Sequence, residues 1–489
     1  MLRSIRMKIL SLVRENDCLV PVEVEISFLP GLPQIQFLGL PDQVIKESIY
    51  RIKSAIRSQG FEFPKAHHIL VNLRPSHLKK TSRGIELAVA LGLIWESNQA
   101  QPPTGESVMV YGELSLNGAV FEPDDLGEAV DVDTHQVVWT GNPLSEKLPF
   151  NRHCISQLSQ VHAPQIIKGE RRDYLIERPQ LESNFQFSVS HARVLKLVAL
   201  GEHSLLLAGP SGAGKTTIAK TILSLLQEPS QEDMFEIINN NKSKDKSLCS
   251  WRPLVHPHHS TSPLGLIGGG VPPFKGDISR AHKGVLLLDE LLEFNPRAQE
   301  ALREPMEEFC IRIRRGRFVE EHPAETLVIA TTNLCPCGDW LPNSKVVCGR
   351  TVRKCQSYLE RLSGPLVDRF QILFFTQKLP HEQSTTAEQI LSEIERVRKF
   401  RLDMAAQDSR FHQVCSRWSW EELTRDLPTF YMQDLFPKEL SSRRRSLATL
   451  RVARTLADLE MLKKMQPYHI EQALKVSYLP FEKLKRLGS

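Results

Sequence analysis

The sequence predicts an α/β protein built around a parallel sheet, and three observations predict it. Short, wholly apolar segments, Leu205-Leu-Leu-Ala208, Val285-Leu-Leu-Leu288 and Leu327-Val-Ile-Ala330, alternate with helical stretches, as in a parallel sheet covered on both faces. A glycine-rich turn, Gly209-Pro-Ser-Gly-Ala-Gly-Lys-Thr216, links the first segment to a helix over 216–226. From about residue 388 the pattern is helical to the end.

The elements divide into four regions. Residues 1–165 read as a mixed α/β unit. Val22, Val24, Ile26 and Phe28 alternate with Glu23, Glu25 and Ser27, a strand with one buried face. Ile45, Ile49, Ile52 and Ile56 recur at helical spacing, and Ile69–Leu73 reads as a buried strand. Asn117-Gly118, between Leu114/Leu116 and Val120, signals a hairpin. Residues 166–184 are polar, with Lys168-Gly-Glu-Arg-Arg-Asp173, and form a linker. Residues 185–385 hold the parallel sheet, interrupted by a surface loop over Asn239–Ser247. In 386–489, Leu447, Leu450, Val452, Ala453 and Leu456 share one helix face and arginines take the other.

Composition bounds the function. Apolar residues make up 41% and charged residues 24%, so the chain buries a core and is neither collagenous nor disordered. Lysine plus arginine exceeds aspartate plus glutamate by 62 − 57 = 5, too little to mark nucleic acid by bulk charge, so any basic surface is local. Nine cysteines, four of them within Cys335–Cys355, indicate a reducing compartment rather than a disulfide framework. No apolar run reaches membrane-spanning length, and the N-terminal one is too short for a signal-peptide core, so the cytoplasm is the expected location.

The glycine-rich turn carries the chemistry. Gly209, Pro210, Ser211, Gly212, Ala213 and Gly214 would wrap a phosphate with backbone, and a helix start adds partial positive charge. Lys215 would reach the β and γ phosphates, the Thr216 hydroxyl would ligate Mg²⁺, and Thr217 follows in the first helical turn. About 75 residues later, Asp289-Glu290 ends an apolar strand. There Asp289 would bind hydrated Mg²⁺ and Glu290 polarise the attacking water. Asn333, closing Thr331-Thr-Asn333 at the end of the next buried strand, either contacts the γ-phosphate or orients the water, or is an ordinary turn asparagine. Arg369, in Leu366-Val-Asp-Arg369-Phe, either makes a surface salt bridge or, as in ring ATPases, completes a neighbour's site.

Other segments leave their roles open. Phe309–Val319 alternates around an Arg-Gly turn and predicts a β-hairpin carrying Arg312, Arg314, Arg315 and Arg317. It is either a solvated charged hairpin or a DNA-contacting one, placed where several ring helicases project a hairpin into the pore; such phosphate contacts are sequence-independent. Gly268–Gly276 is too rich in glycine and proline for regular structure, and is either a second pore loop crested by Phe274 and Lys275 or a long surface turn. His256, His258 and His259 suit a loop or packing role better than a metal site. Cys335, Cys337, Cys348 and Cys355 are enough for one tetrahedral Zn²⁺ site, or are reduced buried thiols.

These motifs together resemble AAA+ ATPases, and more narrowly the magnesium-chelatase-like ComM/YifB family. The narrower likeness rests on Arg252-Pro-Leu-Val-His-Pro-His-His259 with Gly268-Gly-Gly270, on Gly284–Phe294 with Ala301-Leu-Arg-Glu-Pro305, and on Leu362–Phe370. Leu440-Ser-Ser-Arg443 with Leu450–Leu459 is similar to that family's lid helix, which implies that Arg443 senses nucleotide. Gly31-Leu-Pro33, Val71-Asn-Leu73 and Gly112–Leu116 resemble its Lon-protease-like N-terminal domain. Aligned with a Lon-type serine, the chain has Gly84, and no lysine lies between Lys80 and Lys147, so the resemblance implies an inactive protease fold; Ser82 beside Lys80 is a poor substitute. The family implies an ATP- and Mg²⁺-dependent hexameric motor acting on branched or single-stranded DNA, with branch-migration helicase activity in natural transformation and recombination. The alternative is a protein-remodelling ATPase of magnesium-chelatase type.

Overall fold

A computed structural model of the chain describes residues 8–488 apart from 16–17, 33, 39–42, 65–66, 75–83, 104–106, 129–136, 145–147, 149, 170–175, 182–184, 242–250, 271–273, 316–317, 339–349, 363, 377–383, 426, 428–435, 438–439 and 441. It divides into two compact units, Met1–Asp173 and Tyr174–Ser489.

The first unit is a mixed sheet of eight strands. Its spatial order is Gln165–Ile167, Asn151–Cys154, Val137–Thr140, Ser107–Val110, Lys8–Glu15, Cys18–Pro30, His67–Arg74 and Gln34–Leu38. Lys8–Glu15 pairs antiparallel with Cys18–Pro30, Ile9 opposite Val24, and parallel with Ser107–Val110. The expected alternation holds at Val22 and Val24, buried on either side of half-exposed Glu23, but Ile26 and Phe28 farther along are only half-covered. The strand at 69–73 differs from expectation. Ile69, Val71 and Leu73 are buried but Leu70 and Asn72 are only half-covered, because His67–Arg74 is covered on one face. Helix Gln43–Ser58 buries Ile52 and Ile56, and helix Ile85–Glu96 is buried from Ile85 to Trp95. Glu86 is held in this interior by Ser48 Oγ at 2.6 Å, Arg51 Nε at 2.7 Å and the Leu114 amide at 3.1 Å. The predicted hairpin pairs Glu113–Leu114 with Val120–Phe121, and Gly118 takes φ +82° in its turn.

The second unit carries a parallel sheet of five strands in the order Leu254–Val255, Val285–Leu288, Leu327–Thr332, Leu205–Ala208, Ile372–Phe375. Alternate residues feed opposite cores. Leu205, Leu207, Leu287 and Ile329 enter one apolar cluster, and Leu206, Leu286, Leu288 and Ala330 the other. Burial on both faces is why these strands read as unbroken apolar runs. In chain order the sheet is 2-3-4-1-5, so the chain leaves strand 1, crosses to the far edge, returns beside strand 1 and then passes to its other side. A ligand site is favoured outside the carboxyl ends of the strands at such a reversal.

The helices after 386 pack into the same unit: Ala387–Ala405, Arg443–Leu459 and Pro467–Ser477 bury Ile390, Leu450 and Ile470 in the cluster that holds Leu205. The apolar face of Arg443–Leu459 is as expected, but its arginines are not confined to the solvent side. Arg445 and Arg454 are buried, Arg454 donating to Asp458 Oδ1 at 2.8 Å and to the Lys463 carbonyl at 3.0 Å. The paired carboxylate and carbonyl acceptors are what permit buried guanidinium groups there. Gly268–Gly269 also departs from expectation by pairing antiparallel with Phe274–Lys275. A Cβ on Gly268 would lie 2.2 Å from the Phe274 carbonyl, so glycine permits the close ladder rather than preventing it. Phe274 and Lys275 therefore stand on an arm of this hairpin.

Candidate functional site

The site begins where strand Leu205–Ala208 ends. The Gly209 amide donates to the Thr332 carbonyl at 3.1 Å, which ties the loop to the neighbouring strand. Gly209 passes so close to the last strand that a Cβ would meet Thr376 Oγ1 at 2.1 Å. Gly212 and Gly214 take φ +73° and +72°, a left-handed backbone that glycine adopts without strain. Gly214 caps helix Lys215–Leu225, and a Cβ on Gly212 would face open space. The loop can thus offer backbone to an anion at a helix start, with room above it.

The three parallel strands deliver the other groups to the same edge. Lys215 Nζ donates to the carbonyls of Gly209 and Pro210 and to Asn333 Oδ1, each at 2.9 Å. Burial lowers its pKa, opposed by the nearby charges of Asp289 and Glu290. Thr216 Oγ1 lies 3.3 and 3.4 Å from the two Asp289 carboxylate oxygens. A hydroxyl and a carboxylate converging this way form a hard oxygen set, the donor chemistry that suits Mg²⁺.

One contributor was missed in the sequence. Thr331, fully buried, donates its hydroxyl to Asp289 Oδ1 and accepts the Glu290 amide at 3.0 Å, so it fixes both acidic residues at once. Its signal was its place in Thr331-Thr-Asn333, where only the asparagine drew notice. Glu290 itself is exposed and holds φ +56°, a conformation that costs a non-glycine residue energy and turns it out of line with Asp289.

Arg369 stands elsewhere. It precedes the last strand, and its carbonyl accepts Ser204 Oγ at 3.1 Å, so its backbone adjoins the start of strand Leu205–Ala208 whose far end carries the loop. Its guanidinium donates to the carbonyls of Pro365 at 2.6 Å and Arg303 at 3.1 Å, and to Glu307 Oε2 at 3.0 Å. Arg443 opens helix Arg443–Leu459, its guanidinium 5.7 Å from the centre of the Trp420 ring. Neither is joined to the loop by a described contact.

The hairpin expected before the last acidic-edge strand is present, Cys310–Arg315 paired with Phe318–Pro323. Arg312 at its base is exposed and flanked by carboxylates; its bonds to Glu308 and to Glu321 at 3.0 Å raise its pKa, and Glu304 lies 3.9 Å away. Arg317 and the side chains of Arg314 and Arg315 lie outside the described residues. Lys275 donates to Asn240 Oδ1 at 2.9 Å. His258 bonds Ser260 at 2.8 Å and stacks on His259, a loop role.

Among the cysteines, Cys335 Sγ lies 3.1 Å from both Cys337 and Cys355, while Cys348 is outside the described residues. Sulfurs around a tetrahedral Zn²⁺ with bonds near 2.3 Å stand about 3.7 Å apart. Among the described residues no group of three or more His, Cys, Asp or Glu side chains could hold a metal ion, so the described thiols do not carry the zinc expectation. Their turn does touch the loop, the Ser211 amide donating to the Gly338 carbonyl at 2.6 Å. Of the protease candidates, Lys80 and Ser82 are outside the described residues, and a Cβ on Gly84 would fall 2.2 Å from the Tyr111 ring.

A glycine-rich phosphate loop on a five-stranded parallel sheet, with an acidic pair and an asparagine on adjoining strand ends, defines the AAA+ class of nucleoside triphosphatase fold. Comparison with known proteins narrows it. The family described as "Magnesium chelatase, subunit ChlI" matches residues 186–384, and "Subunit ChlI of Mg-chelatase" matches residues 22–129. The uncharacterized protein YifB of Salmonella typhimurium is 31% identical, covering 95% of each chain, as is YifB of Escherichia coli. Competence protein ComM of Haemophilus influenzae is 28% identical over 93% of this chain and 94% of its own. The chain belongs to the magnesium-chelatase-like ComM/YifB family. Among the described residues no helix is long and apolar enough to cross a membrane.

Proposed function

We propose that the protein is an ATP-hydrolysing AAA+ motor that works as a ring, completes each nucleotide site with an arginine from the next subunit, and acts on branched or single-stranded DNA. The observation that carries this reading is the division of the sheet. Lys215, Thr216, Asp289 and Asn333 meet at its carboxyl edge, whereas the Arg369 backbone adjoins the opposite end of strand Leu205–Ala208. A four-residue strand spans about 10 Å, and this separation of Arg369 from its own loop supports a role toward a neighbour.

In this reading the loop 209–214 and Lys215 grip the phosphates of ATP, and Thr216 and Asp289 hold Mg²⁺. When bound, that ion neutralises charge on the phosphates being separated. Thr331 keeps Asp289 and Glu290 oriented, and Glu290 polarises the attacking water. Asn333 positions Lys215, and Arg369 with the basic start of helix Arg443–Leu459 meets the neighbour's terminal phosphate.

The DNA part rests on the family resemblance, on the relative named a competence protein, and on the hairpin Cys310–Arg315/Phe318–Pro323 with its run of arginines. A second reading, protein remodelling without DNA, draws on the same hairpin, since Glu304, Glu308 and Glu321 already surround Arg312. The crowded position of Gly84 supports a non-proteolytic first unit. Phosphate release measured with no DNA, with forked DNA and with a four-way junction separates the readings, with Lys215→Ala as control. Stimulation by either DNA supports the motor on DNA, and hydrolysis indifferent to both supports protein remodelling.

A further inference from the structure

The turn after strand Leu327–Thr332 sets three thiols together. Cys335 Sγ is in contact with both Cys337 Sγ and Cys355 Sγ, each 3.1 Å away, and all three residues are in the thiol state. Cys355 belongs to helix Val352–Leu359, so its contact with Cys335 brings together two elements 20 residues apart. A disulfide bond is about 2.05 Å long, so joining these two sulfurs asks for a movement of about 1 Å.

Exposure gives the thiols different parts. Cys335 is 1% exposed, whereas Cys337 and Cys355 are half-buried and open to a small oxidant. An accessible thiol beside a shielded one is the arrangement of an oxidisable cysteine and its resolving partner. Burial pushes the thiols of Cys154 and Cys415, elsewhere in the chain, up to about 11, which keeps them inert at neutral pH.

The cluster is wired to the nucleotide loop. The Gly338 amide closes the turn on the Cys335 carbonyl at 2.9 Å, and the Gly338 carbonyl accepts the Ser211 amide of the loop at 2.6 Å. Two residues before Cys335, Asn333 Oδ1 accepts Lys215 Nζ at 2.9 Å. A bond that draws Cys335 toward helix Val352–Leu359 therefore pulls on both contacts.

Resting on the reading that the loop 209–214 holds ATP, we propose that Cys335 and Cys355 are a modification site, joined by peroxide into a disulfide that withdraws the turn from the loop and lowers ATP turnover. The Cys355 thiolate attacks one peroxide oxygen; the S–O bond forms as the O–O bond breaks, and the departing hydroxide takes a proton to become water. The Cys335 thiolate then attacks the sulfenic sulfur, the S–S bond forms, and a second hydroxide leaves as water after protonation. Two thiols give up two electrons, and one peroxide is reduced to two waters.

The test uses the full-length protein treated with hydrogen peroxide and then catalase, with the linkage mapped by peptide mass spectrometry and phosphate release measured alongside. The linkage should be Cys335–Cys355, release should fall at least tenfold in step with it, and dithiothreitol should reverse both in the wild-type protein. Cys355→Ser should keep its turnover through the same treatment, whereas Cys310→Ser, altered at another cysteine, should be inhibited like the wild type. No linkage, or one that maps to any other pair, overturns the site, and a Cys335–Cys355 linkage with unchanged turnover overturns the switch. Absence of phosphate release from the fully reduced protein overturns ATP hydrolysis itself, while the linkage map still decides the disulfide.

Discussion

The two ends of the five-stranded sheet are both charged, yet they are organised differently. At the carboxyl end, groups from three strands converge within hydrogen-bonding reach of one another, from Lys215 to Asn333 and from Thr216 to Asp289. At the amino end, Arg369, Arg444 and Arg445 are matched by Glu307, Asp368 and backbone carbonyls. The first end has cations, carboxylates and a glycine loop left open to space; the second is a cationic surface already ordered. In the proposed function the two ends are the two halves of one phosphoryl-transfer site, which the parallel strands keep apart within a chain and a ring of copies would bring together.

The most severe way to break the carboxyl end is Lys215→Ala, which should reduce phosphate release by about 10³-fold or more, because the loop loses its reach to the phosphates. Arg369→Ala attacks the amino end instead. It should cut turnover by about 10²-fold or more while ATP-analogue binding persists, and equal loss of binding would mean that the two ends do not divide the labour as described. Arg445→Ala sharpens the comparison through folding. It strands the carbonyls of Phe370, Ser477 and Val367, and should cost about 3–5 kcal/mol in urea unfolding of the second unit.

The smallest effect is a pH dependence at the amino end. His203 is fully buried between Gln371, at 2.6 Å, and Thr455, at 2.8 Å, and burial pulls its pKa down to about 4 from an ordinary 6.5. The unfolded chain therefore binds more protons than the folded one between these values. Stability from the neutral ring is complete above pH 6.5 and declines as pH falls toward 4, by at most about 1.4 kcal/mol per pH unit. His203→Gln should flatten that part of the urea midpoint against pH, and an unchanged slope would remove His203 from the account.

The carboxyl end was legible in the sequence because its chemistry sits in contiguous words. Gly209–Thr216 and Asp289-Glu290 each declare a strand end, and the wholly apolar segments before them give the parallel sheet. Thr331 was harder, since a threonine in a strand is ordinary until its hydroxyl is seen between Asp289 and Glu290. At the amino end the meaning is long-range. Nothing local tells Arg444 from Arg443, and only the anchoring of Arg445 to Phe370 shows which of them meets Glu307. Periodicity likewise sent the arginines of the last long helix outward, because an apolar-face argument has no place for a buried Arg454 already satisfied by Asp458.

The central claim, that one functional site needs two copies, is tested most directly by turnover per subunit as protein concentration is varied with saturating ATP and Mg²⁺, with mass followed in parallel by sedimentation. The account predicts negligible phosphate release from monomers and a steep rise in specific activity as rings assemble. Full, concentration-independent activity in a species that sediments as a monomer would contradict it.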